Sequence, residues 1–228
     1  LREQAAMQLE AGNSEKASQS LELAERLLRH GTTAEEREVS LRLHFSRARL
    51  YEETGNPERS MEELQAFLRD ANLLPEDDRD VESAQVSLVN LWRQAGRLSD
   101  AMAVIESLID RRMRRLGERD PRTLNARLTR VGLLEAQGRY EESATESETL
   151  LKLRTEVLGA EHVDTLTSAQ MLSNSLLRLG KTHEALRHAE AAATGFAKRF
   201  GEAHAQTQAA LIAVAFAHEQ LDQDDQAE

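Results

Sequence analysis

The amino-acid sequence predicts an all-α solenoid: about six antiparallel helical hairpins stacked in a row, with the units at either end incomplete. Three observations lead there. The first is composition: prolines number three, aromatics make up 4%, and helix-forming Ala, Leu, Glu, Gln and Arg fill most positions. The second is a glycine beat. Gly12, Gly55, Gly96, Gly138 and Gly180 are spaced by 43, 41, 42 and 42 residues, and Asp222 falls 42 further on. The third is a recurring segment. Leu116-Gly117-Glu118-Arg119-Asp120-Pro121-Arg122-Thr123-Leu124 returns as Leu158-Gly159-Ala160-Glu161-His162-Val163-Asp164-Thr165-Leu166, and in a more divergent form from Phe200 to Gln208, each copy 42 residues after the last. A period of that length marks a repeat architecture.

The residues around each glycine define the hairpin. Seven places before the markers stand slender side chains, Ala5, Ala48, Val89, Val131, Ser173 and Ala215. Four places before them, Tyr51, Trp92, Leu134 and Leu176 are larger. Offsets of three and four put these residues on one face of a helix that ends near the glycine. Five places after each marker comes another small residue: Ala17, Ser60, Ala101, Ser143, Ala185 and Ala227. Small residues on both arms let two backbones approach, and the larger ones fill the space beside them. A glycine in the tight turn reverses the chain.

In chain order, the first helices fall near 1–11, 34–54, 78–95, 121–137, 163–179 and 205–221. The second helices fall near 14–30, 57–72, 98–116, 140–158 and 182–200, and a sixth begins near Asp224. Asp120 before Pro121 reads as an N-cap with proline in the first turn. Thr33 and Glu36 have capping-box spacing. The boundaries give one domain, 1–228, with repeats near 1–31, 32–73, 74–116, 117–158, 159–200 and 201–228. Because the pattern opens and closes in mid-unit, the chain reads as part of a longer protein.

The loop Leu158-Gly159, His162 and Thr165-Leu166, with its counterpart Leu116-Gly117, Pro121 and Thr123-Leu124, resembles the tetratricopeptide repeat family in its 42-residue, kinesin-light-chain-like variety. The turn Gly180-Lys181-Thr182-His183-Glu184-Ala185 is similar to that family too. The likeness is best from about 85 to 208. It implies a right-handed superhelix whose first helices line a concave face, and a scaffold that binds a protein or peptide segment there. Kinesin light chains carry Asn-Leu-Ala in the first helix. The matching triplets here are Ser87-Leu88-Val89, Thr129-Arg130-Val131, Met171-Leu172-Ser173 and Ala213-Val214-Ala215, all without the asparagine, which sets this chain apart from cargo-binding light chains. Similar repeats also occur in bacterial signalling proteins, attached to Ser/Thr kinases and transcription regulators.

The family's geometry assigns the groove to positions about thirteen, ten, six, three and two before each turn glycine. These include Arg42, Phe45, Arg49, Val86, Asn90, Arg93, Asn125, Leu128, Asn174, Leu177, Arg178 and Phe216. Asparagine amides both donate to and accept from a peptide backbone, and arginines pair with carboxylates. Phe45 and Phe216 either expose rings in the groove or pack between repeats.

The chemistry absent from the sequence narrows the function further. A net charge of −11 repels phosphate backbones and weighs against a nucleic-acid partner. The chain has no cysteine, no Gly-rich phosphate loop, no Gly-x-Ser-x-Gly and no His-Glu-x-x-His. Its seven histidines are scattered, so neither a catalytic centre nor a metal or other cofactor is expected. No apolar run reaches membrane-spanning length. Besides the interaction scaffold, two readings stay open: a ligand-responsive regulatory domain of a kinase or transcription regulator, and a self-association module forming homo-oligomers through an apolar repeat end. Arg111-Arg112-Met113-Arg114-Arg115, with Arg119 and Arg122, reads as cations complementing a helix C-terminus or as a dock for an acidic segment.

Overall fold

The computed structural model describes residues 1–28, 33–75 and 78–227; among them all regular structure is helical. The helices are α1 (Arg2–Glu10), α2 (Ser14–Leu28), α3 (Ala34–Glu53), α4 (Pro57–Arg69), α5 (Arg79–Gln94), α6 (Leu98–Leu116), α7 (Pro121–Ala136), α8 (Tyr140–Leu158), α9 (Val163–Arg178), α10 (Thr182–Phe200) and α11 (Ala205–Ala227). A short 3₁₀ turn, Ala71–Leu73, follows α4. Two compact units result, Leu1–Val104 and Ile105–Glu228.

Within the first unit, α1 packs on α2, α2 on α3, α3 on α4 and α4 on α5. In the second, α7 to α11 pack in the same sequential order, and α9 also touches α7 and α11. The expected spacing rules govern the packing. Ala5, Ala48, Val89, Val131 and Ser173 have no exposed surface, and neither do Ala17, Ser60, Ala101, Ser143 and Ala185. Side chains this small bring two helix backbones close together. In the hairpin of α9 and α10 the Ser173 hydroxyl donates to the Ala185 carbonyl at 2.8 Å.

The repeated loop owes its sequence to local hydrogen bonding. Gly159 takes φ of 88°, a region open to glycine at little cost. His162 then caps α9, its Nδ1 accepting from the Asp164 N–H at 3.2 Å, and the Thr165 hydroxyl donates back to the Gly159 carbonyl at 2.8 Å. His204 and Thr207 repeat both bonds one unit later. Asp120 caps α7 by accepting from the Arg122 N–H at 2.9 Å, with Pro121 in the first turn. The capping box at Thr33 and Glu36 forms in full.

One expectation fails. No turn forms at Asp222; α11 runs straight on to Ala227. Aspartate lacks glycine's easy access to positive φ, and among the described residues only glycines adopt it. Ala215 is exposed, unlike its equivalents; the Ala227 side chain and the expected end of α2 near 30 lie outside the described residues.

Two mid-helix glycines in the second unit differ in purpose. A Cβ on Gly195 of α10 would lie 2.5 Å from Leu166 Cδ2, so that glycine lets α10 press against α9. Gly132 of α7 has nothing within 4 Å of the same atom and a helical backbone. Gly132→Ala is therefore expected to stabilise the chain by up to about 1 kcal/mol, readable as a higher urea midpoint with unchanged slope.

Candidate functional site

In the second unit, α7, α9 and α11 carry one open groove of about 510 Å³. Its lining combines Glu135 of α7, Tyr140 at the start of α8, Asn174, Leu177 and Arg178 of α9, and Ala209, Ile212, Ala213 and Phe216 of α11. The spacing that places these side chains on one wall is the helical 3–4 offset counted back from each turn. Ile212 is 68% and Phe216 46% exposed, so large apolar side chains stand unburied there. The groove thus joins an apolar wall to convergent polar groups, the combination that suits ligand recognition.

Glu135 supplies the floor. The Ser175 hydroxyl donates to its Oε1 at 2.9 Å, and Ser143 lies 2.8 Å behind Ser175. Among the described residues no Lys, Arg or His forms an ion pair with Glu135 within 4 Å. Burial lifts its carboxyl above the usual range, against the opposing pull of the Ser175 hydrogen bond and the Arg178 charge. Arg178 itself sits over the Tyr140 ring, 5.9 Å from its centroid.

Of the residues singled out from sequence, Asn174, Arg178 and Phe216 meet in this groove. Asn125 is exposed on α7, but its amide oxygen accepts from Arg154 Nη2 at 2.6 Å. In the first unit, Asn90 lines a shallower recess of about 400 Å³ with Glu52, Gly55, Pro57, Ser87, Leu91 and Gln94. Arg49 and Arg93 are exposed and line neither space.

Two expectations are corrected by packing. Phe45 is 9% exposed and packs in the core against Phe67, the rings tilted by 31° with centroids 5.4 Å apart. Arg42 is bound to three carboxylates: Glu38 at 2.9 Å, Asp78 at 2.6 Å and Asp80 at 2.8 Å. The Asp78 bond leads the effects that hold its guanidinium above its usual pKa. It ties α3 to the start of α5, with its charge already matched by carboxylates of the chain itself.

The basic run is partly engaged as well. Arg112 donates to the Arg122 carbonyl at 2.8 Å, Arg119 pairs with Glu156 at 2.7 Å, and Arg122 returns to Asp120. Sequence reasoning missed Glu135 and Ile212. Both obey the groove offsets, three before Gly138 and ten before Asp222, so the register signal was present and only the choice of residue types concealed it.

The tetratricopeptide repeat family profile matches residues 122–198. Among solved structures, the chain is similar to the kinesin-light-chain-like protein of Podosopora anserina with nearly identical TPR-like repeats, at 20% identity and a TM-score of 0.69, covering 87% of this chain and 93% of that one. It is also similar to BtubC (BKLC) of P. vanneervenii, at 15% identity and a TM-score of 0.69, covering 92% and 83%. The apo form of RapI shares the fold at 10% identity and a TM-score of 0.75, with 91% of this chain and 55% of RapI covered. No curated protein matches in sequence. Among the described residues no helix is long and apolar enough to cross a membrane.

Proposed function

We propose, from the premise that this chain is built of tetratricopeptide repeats, that it is a non-catalytic scaffold whose second unit grips a segment of a partner protein in the groove of α7, α9 and α11. The observation that carries this reading is the meeting of exposed Ile212 and Phe216 with Asn174, Glu135 and Arg178 around one open space. Apolar side chains left unburied beside oriented polar groups provide an anchor pocket and backbone hydrogen bonds for the same segment. Asn174 suits an extended chain because its amide offers one acceptor and two donors.

The double variant Asn174→Ala/Phe216→Ala tests the reading. Neither residue is in the fully buried core, so thermal unfolding is expected to stay within a few degrees of the parent. Peptides selected on the parent from a random phage-displayed library should bind the double variant at least tenfold more weakly, about 1.4 kcal/mol. Undiminished binding would move the site elsewhere on the chain.

A further inference from the structure

The groove holds one unusual electrostatic feature. Glu135 lines it without an ion-pair partner within 4 Å among the described residues, sharing the groove with the polar Asn174 and Arg178 and with the apolar Leu177, Ile212, Ala213 and Phe216. A half-buried carboxylate in apolar surroundings loses hydration and gains little back from one serine hydroxyl. Arg178 supplies a compensating charge, but its effect on Glu135 is smaller than those of burial and the Ser175 hydrogen bond, and its guanidinium lies over Tyr140. The serine chain behind Glu135 occupies Oε1 alone. The remaining carboxylate capacity is left for something entering the groove.

We propose that the groove selects a partner segment in which a lysine or arginine adjoins a large apolar side chain, the cation pairing with Glu135 and the apolar group packing on Ile212 and Phe216. This rests on the groove reading above and adds the chemistry of its occupant. The charge of the whole chain works in the same direction, since a net −11 draws basic segments towards it and speeds their encounter. Pairing with a desolvated carboxylate beside an apolar anchor confers specificity, because a segment lacking the cation leaves Glu135 buried and uncompensated.

The test pans a random phage-displayed peptide library on the intact chain and measures the enriched peptides by fluorescence polarisation against two variants. Glu135→Gln keeps the shape and an oxygen able to accept from Ser175, and it removes the charge that burial disfavours. It is therefore expected to unfold at the same temperature as the parent or higher. The enriched peptides should carry Lys or Arg beside Leu, Ile, Phe or Met and lose at least tenfold in affinity on Glu135→Gln. Arg178→Gln separates the signs: removing the neighbouring cation should tighten the same peptides severalfold.

Enrichment of acidic or uncharged peptides that still depend on Asn174 and Phe216 would overturn the cation assignment and leave the groove reading standing. Basic peptides indifferent to Glu135→Gln would overturn it equally. Failure to enrich any peptide sensitive to Asn174 or Phe216 would overturn both.

Discussion

Arg154→Ala is expected to destabilise the second unit by about 3–4 kcal/mol, whereas Arg154→Met should fall within about 1 kcal/mol of the parent. Arg154 has no exposed surface at all. Its Nη1 donates to the Asp164 carbonyl at 2.8 Å and to Ser168 Oγ at 2.9 Å, and its Nη2 to Asn125 Oδ1 at 2.6 Å. No carboxylate forms an ion pair with it among the described residues, and burial pulls its pKa below the ordinary arginine value. The side chain therefore holds three neighbours together through neutral acceptors, while its charge is offset only in part by the Asp164 carboxylate. Truncation to alanine leaves a cavity and strips those acceptors. Methionine refills much of the volume and removes the desolvation cost, so the two variants separate the packing role from the charge.

The neighbouring repeats show the same slot with other fillings. Arg112 stands 42 residues earlier and reaches the equivalent carbonyl, that of Arg122, at 2.8 Å; Phe196 stands 42 residues later and is fully buried. A position that accepts phenylalanine in one repeat is a packing position first. Urea unfolding followed by circular dichroism checks the pair of variants, and equal losses for Met and Ala would show that the hydrogen bonds, not the volume, carry the stability.

The second large effect is expected at Glu146, where alanine should cost about 3–5 kcal/mol. Glu146 accepts from Arg127 Nε at 2.6 Å and pairs with Arg130 at 2.8 Å. The Arg127 and Glu146 side chains are only 10% and 11% exposed. Removing the carboxylate strands Arg127 in a site where Glu118, 49% exposed, is its remaining partner. Burial by itself would raise the Glu146 pKa, but the hydrogen bonds and charges of Arg127 and Arg130 outweigh it and the net shift is downward.

The sign of the linkage follows from that shift. A depressed folded-state pKa means the contribution is present at neutral pH, above the unfolded value. It is lost as pH falls through the folded value, below the usual glutamate range. The parent should lose stability on acidification more steeply than Glu146→Gln. Parallel acid limbs for the two proteins would remove Glu146 from the account.

The hairpins were legible because their signals are short-range. Glycine in the turn, small residues five after and seven before it, Asp120 with Pro121, and Thr33 with Glu36 each act over less than two helical turns. The failure at Asp222 fits the same logic, since there the marker's position persisted without its glycine. The groove was legible as a register and only partly as a set of residues. Asn174, Arg178 and Phe216 line one open space. At the same offsets, Phe45 is buried in the core and Arg42 is held by carboxylates of its own chain.

By itself, then, the sequence determined where the helices begin, end and reverse, and which of their faces are narrow enough to be buried. Only the tertiary structure decided which polar side chains remain available. That decision depends on partners far away in the chain: Asp78 for Arg42, Asn125 for Arg154, Ser175 for Glu135. A turn or a cap is settled by bonds among adjacent residues, whereas a charge is neutralised, or left waiting in a groove, by groups that packing brings together across roughly 30 to 40 residues.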